Sequence, residues 1–179
     1  MSRGFLIALI GLSALWLSPA TALESDEYTV KAAFIYNFAK FVEWPEGTFD
    51  DTATPIDLCI IGGNGIREKI NSIANKRAQG RSFNVHVIAH AHEAAFCHIA
   101  YFIADGTAGT SGASASGKQP EGVLTIGDTP AFVEGGGIIA FVVTNNKVQF
   151  RINVDAANRA HLRISSKLLQ LAEIYREGR

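Results

Sequence analysis

From Tyr28 to Trp44, in YTVKAAFIYNFAKFVEW, apolar residues return at three- and four-residue spacing. Val30, Phe34, Phe38, Phe41 and Val42 share one side, with Tyr36, Lys40 and Glu43 opposite, and that period predicts a helix. Pro45 ends it, because proline withholds a backbone donor and restricts the residue before it. The aromatic stripe reads as core, or as the wall of a groove for a partner or an apolar ligand.

Beyond Pro55 the period changes. Ile56 to Gly62, Phe83 to Ile88, Ile99 to Ile103, Gly122 to Asp128 and Ile138 to Val143 are short runs of mainly apolar, often β-branched residues, which predict strands. A helix over Ile66–Lys76 follows the first, AHEAAF offers about one helical turn before the third, and DTPAFVE starts another helix with Thr129 as cap and Pro130 in the first helical position. Near-continuous apolar strands separated by helices predict an α/β fold with a mostly parallel sheet covered on both faces.

TNNK then turns the chain back into KVQFRIN, where Val148, Phe150 and Ile152 alternate with Gln149, Arg151 and Asn153. This C-terminal hairpin is antiparallel, and its second strand should lie near an edge or have one wetted face. In the tail, Asn153 or Asp155 starts a helix and Ser165 caps another that carries Leu168, Leu169, Leu171, Ala172 and Tyr175 against the sheet.

The first 22 residues have a different character. Arg3 is followed by an apolar stretch from Phe5 to Leu17 and by small residues at Pro19, Ala20, Thr21 and Ala22, the order of a secretory leader cleaved after Ala22. The apolar core of about 13 residues falls short of the roughly 20 that span a bilayer, so an uncleaved anchor is the weaker alternative. Export and cleavage leave residues 23–179 as one soluble domain with a single hydrophobic core. Sixteen Lys and Arg stand against 17 Asp and Glu, a weak negative balance that gives no electrostatic reason to expect nucleic acid. Cys59 and Cys97 are the only two cysteines. In an oxidising compartment an even count suggests a bridge, while two thiols packed as small hydrophobes are the alternative.

Candidate chemistry is sparse. GASASGKQ, residues 112–119, falls one residue short of a phosphate-cradling loop: Gln119 stands where a magnesium-holding hydroxyl is needed, and Pro120 interrupts the helix start. GGNG, residues 62–65, has Glu68 where a dinucleotide fingerprint needs its third glycine. His86, His90, His92, Glu93, Cys97 and His98 cluster in sequence but match no zinc spacing, and Phe96 occupies the second histidine position of H-E-x-x-H. No G-x-S-x-G elbow is present, and no local pair of carboxylates suggests an acid and a base. No residue is assigned a catalytic, cofactor-binding or metal-binding role. Between Ile103 and Val123 there is no large side chain, so Gly106–Pro120 is read as a loop or a thin helix of weak order. Composition favours a non-catalytic exported binding or regulatory module.

Three blocks carry a more specific signal: VKAAFIYNFAKFVEWP, GVLTIGDTPAFVEGGGIIAFVVTNNKVQFRINVDAANRA and LRISSKLLQLAEI. Together they closely resemble the YfiR-like periplasmic family, from about Val30 to Ile174. With the leader over residues 1–22 set aside, the resemblance implies a single Rossmann-like α/β domain over 23–179, in the periplasm, without enzymatic activity or cofactor. It implies as partner an inner-membrane protein with a periplasmic sensor domain, a diguanylate cyclase, whose repression lowers cyclic-di-GMP signalling and biofilm formation. It also implies the capacity to form a homodimer, and a family bridge between Cys59 and Cys97. The alternative is a module that binds apolar ligands or envelope structure. Two departures stand out: the hairpin IIAFVVTNNKVQFRIN lacks a cysteine for a second bridge, and His161 stands where relatives often have glycine, which predicts a left-handed conformation at a helix end. Trp44, Phe132 and the exposed side of the last hairpin are the conceivable contact points.

Overall fold

The computed structural model describes residues 20–62, 66–104 and 120–178. Most of the expected leader, the middle of GGNG, and nearly all of Gly106–Pro120, with Lys118 and Gln119, lie outside the described residues.

Seven strands form one sheet: β2 (Ile56–Ile61), β3 (Phe83–Ile88), β4 (Ile99–Phe102), β5 (Leu124–Gly127), β6 (Ile139–Thr144), β7 (Lys147–Asn153) and β9 (Glu173–Tyr175), in the order β3-β2-β4-β5-β6-β7-β9. The first five are mutually parallel. β7 returns antiparallel to β6 through Asn145 and Asn146, both at positive φ, as a tight hairpin turn requires. β1 (Val42–Glu43) and β8 (Arg163–Ile164) make a separate antiparallel pair. The sheet is thus mostly parallel with a C-terminal antiparallel hairpin, as the apolar runs predict. Strand order reverses between β2 and β4, the Rossmann-like switch point beside which such sheets commonly hold ligands. The carboxyl ends of those two strands run into residues 63–65 and 105–119, outside the described residues.

One sheet face is covered by α1 (Ala20–Phe41) and α2 (Arg67–Ala74), with α4 (Val154–Arg159) and α5 (Ser166–Leu169) at its end. Ile35, Phe38, Leu58, Ile60, Ile99, Ile126, Phe141 and Ile152 meet there with almost no exposure. The other face has thinner cover, from the 3₁₀ turn Ala91–Phe96 and α3 (Ala131–Glu134).

Three elements differ from expectation, each because tertiary contacts outweigh local pattern. The first helix ends at Phe41 rather than Trp44: Val42 and Glu43 pair with Ile164 and Arg163, and Ser165 donates its N–H to the Phe41 carbonyl at 2.9 Å. Its buried side is also rotated, so that Ala32, Ile35, Phe38 and Ala39 face the core while Val30 is 41% exposed. Finally, the tail helix stops at Leu169, and Glu173–Tyr175 adds instead to the open side of β7, where it completes main-chain pairs the hairpin leaves unmade. Leu171, expected against the sheet, is exposed. At α3 the cap position falls on Pro130, with Thr129 accepting the Phe132 N–H through its carbonyl.

Candidate interaction surface

β2 and β4 run side by side with Leu58 opposite Ile99 and Cys59 opposite Ala100, three residues beyond Cys97. Cys59 and Cys97 are joined as a disulfide, with 6.0 Å between their Cα atoms, and both are buried. The bridge ties a central strand to the 3₁₀ turn over the thinner face.

The histidines do not converge. His98 is buried and stacks on Phe49 at 4.4 Å. Its Nδ1 accepts the Asp57 N–H at 2.9 Å, which requires that nitrogen to be unprotonated, so its 3.5 Å approach to the Asp57 carboxylate is not an ion pair. His86 lies on the other side of that carboxylate, Nε2 to Oδ1 at 2.8 Å. His90 and His92 stack on each other, and the carboxylate of Glu93 accepts the N–H groups of Ala89 and His90. Those bonds hold Glu93 below the usual carboxylate range. Among the described residues, no three His, Cys, Asp or Glu side chains could hold a metal ion.

The most concentrated electrostatics lie where α1 crosses the carboxyl end of β5. Lys31 is buried, with its Nζ 2.8 Å from Asp128 Oδ1 and 2.6 Å from Glu27 Oε1, one helical turn back. The phenol of Tyr101, from β4, donates to the same Asp128 oxygen at 2.5 Å. Burial works against the Lys31 charge, but Asp128 and then Glu27 outweigh it and raise its pKa. Burial, reinforced by Asp128, drives the Tyr101 phenol well above its ordinary range. Every member has a partner, so the cluster clamps a helix to a strand and holds no reactive group in reserve.

Beside this clamp, α1 and the hairpin leave a groove of about 490 Å³, lined by Glu27, Val30, Phe34, Val143, Asn146, Lys147 and Val148. Its floor continues into the aromatic cluster of Phe34, Phe38, Phe141 and Phe150, whose ring centroids lie 5.0 to 6.2 Å apart across the helix and hairpin. Val30 and Val143, at 41% and 48% exposure, form its apolar rim. Exposed apolar rims of this kind mark places where proteins meet something else.

Of the three conceivable contact points, only the hairpin reaches this surface. Trp44 is half-buried, edge-on to Phe49, and donates its indole N–H to the His98 carbonyl at 3.3 Å. Phe132 is buried between Gly127 and Gly137, where an added Cβ on either glycine would overlap its ring. The reading missed Val30 as a surface residue. No local signal marks it: Lys31, one position on, is turned inward to Asp128, 97 positions away in sequence, and that pairing turns Val30 outward.

The model of the YfiR/HmsC-like family matches residues 28–173, from within α1 to the first residue of β9. Proteins of this family are periplasmic regulators without an enzymatic role. Among solved structures, a conserved domain protein from Vibrio cholerae O1 biovar eltor has a similar fold, with a TM-score of 0.56 and 13% identity over 82% of this chain. The match spans 59% of that protein's length. No curated protein matches the chain. Among the described residues, no helix is long and apolar enough to cross a membrane.

Proposed function

The chain belongs to the YfiR/HmsC-like family, and from that premise we propose that it is exported after loss of residues 1–22 and represses an inner-membrane diguanylate cyclase by binding the cyclase's periplasmic sensor region. The observation that carries this reading is the extent of the family match, which includes both layers over the sheet and the hairpin. A disulfide in a domain of this size suits an oxidising compartment.

The mechanism is occupancy with unequal affinity. The domain lowers cyclic-di-GMP only if it binds the inactive state of the cyclase more tightly than the active one, since equal affinity shifts nothing. Moving a cyclase from almost wholly active to almost wholly inactive takes a preference of about 10⁴-fold. No cofactor is needed for such a step.

Crosslinked pull-down of the exported chain tests the pairing. Recovery of an inner-membrane protein with a periplasmic sensor and a cytoplasmic GGDEF-type domain is the expected result. Recovery of outer-envelope material or small apolar molecules alone would point instead to an envelope-binding module.

A further inference from the structure

The loop that follows α2 is latched to the end of α1. Tyr36 donates its hydroxyl to the Arg77 carbonyl at 3.2 Å, and the Gln79 side-chain amide donates to the carbonyls of Ala39 and Val42 at 2.9 and 2.7 Å. This docking gathers cations that the sequence keeps apart. Lys40, from α1, and Lys76, from the loop, hold their ammoniums 5.4 and 4.9 Å from the centre of the same Tyr36 ring, with Arg77 next in the chain. All three are exposed, and among the described residues none of them pairs with a carboxylate. Residues 66–81 carry five Lys and Arg against one acid, Glu68, whereas the whole chain has 16 against 17. A protein of nearly balanced charge thus has one markedly positive side. It is not the groove: Tyr36 meets Phe83 of β3, at the far edge of the sheet from the hairpin that lines the groove.

We propose that this side of the α1–α2 layer is a docking surface for a membrane bearing anionic phospholipid headgroups. Charge complementarity sets the sign of the partner, and the side chains set its kind. Lysine ammoniums are point charges on flexible stems, suited to a field of mobile phosphates, whereas fixed recognition of one carboxylate or phosphate favours the planar fork of arginine. The Arg77 fork is partly committed to its own loop, with Nη1 donating to the Gly80 carbonyl at 2.8 Å. Tyr36 and the lysine stems present apolar bodies with polar tips, the form of side chain that settles at a membrane–water interface. A cluster of several Lys and Arg on one surface is what an anionic bilayer attracts. The inference does not depend on which membrane protein the domain regulates, but such a surface would concentrate the domain in the plane where that protein lies.

Flotation of the purified exported chain with lipid vesicles provides the test. Binding is expected to vesicles of phosphatidylcholine and phosphatidylglycerol in equal amounts, falling steeply as salt rises, with none to phosphatidylcholine alone. Lys40→Gln with Lys76→Gln should weaken partitioning at least about tenfold, while Lys40→Arg with Lys76→Arg should keep it. Lys147→Gln, which removes one charge from the hairpin, should weaken it less than Lys76→Gln does. Free glycerol phosphate at the same phosphate concentration should not displace the chain. Equal binding to neutral vesicles, displacement by glycerol phosphate, or a loss no greater for the Lys40 and Lys76 variants than for Lys147→Gln would overturn the proposal. Retention on soluble polyglutamate without retention on vesicles would also overturn it, and would assign the surface to an acidic protein segment.

Discussion

The ammonium of Lys31 lies 2.8 Å from a carboxylate oxygen of Asp128, and the two side chains are only 4% and 7% exposed. Ninety-seven positions apart in sequence, they fasten α1 to the carboxyl end of β5. Lys31→Met should destabilise the domain by about 3–5 kcal/mol, because it leaves the Asp128 carboxylate buried without its cation. Lys31→Met with Asp128→Asn should cost less than Lys31→Met alone. Urea unfolding of the two variants checks the order.

The same cluster sets the alkaline limit. Lys31 has its pKa raised from 10.5, and Tyr101 has its pKa raised well above 10.0, so folding favours the protonated form of both. Their contribution is complete below pH 10 and is lost as pH climbs past the unfolded values and through the folded ones. The urea midpoint should therefore fall above pH 10, and the fall should be shallower in Lys31→Met, which lacks one of the two groups. Midpoints measured in a pH series for both proteins decide it.

Loss of the disulfide should be costly. Cys59 and Cys97 are 38 positions apart, and closing a loop of that length stabilises by about 4 kcal/mol in the chain-entropy treatment. Cys59→Ala with Cys97→Ala should lower stability by roughly that amount, with a small further loss for the space left by two buried sulfurs. The parent protein should show no free thiol without reductant and two after reductive unfolding.

His161 ends α4 at φ 57°, in the left-handed region. Its N–H reaches the Asn158 carbonyl and that of Leu162 the Ala157 carbonyl, both at 3.0 Å, the paired bonds of a helix C-terminus that usually places glycine at this position. His161→Gly should stabilise by about 1 kcal/mol by relieving the Cβ contact, and Asn should fall between. Thermal melts of the three proteins would show the order Gly, Asn, His.

What could be read from the chain was whatever its local chemistry decides. The helix through Phe34 and Phe38, the β-branched runs at Ile56 and Phe83, the Asn145–Asn146 turn and the left-handed His161 each depend on neighbours in sequence, and each is present in the fold. What could not be read depends on distant pairing. Val42 leaves its helix because Ile164 is opposite it, and Ile174 joins a strand because β7 has an open side. The candidate surface was partly legible for the same reason: the hairpin is local, but the outward turn of Val30 follows from a partner at Asp128.

Cyclic-di-GMP in the native cell tests the regulatory account most directly. Deleting the gene should raise it, and expressing the full chain should restore it, whereas a chain without residues 1–22 should not. An unchanged level on deletion, or full restoration by the chain without residues 1–22, would contradict the account.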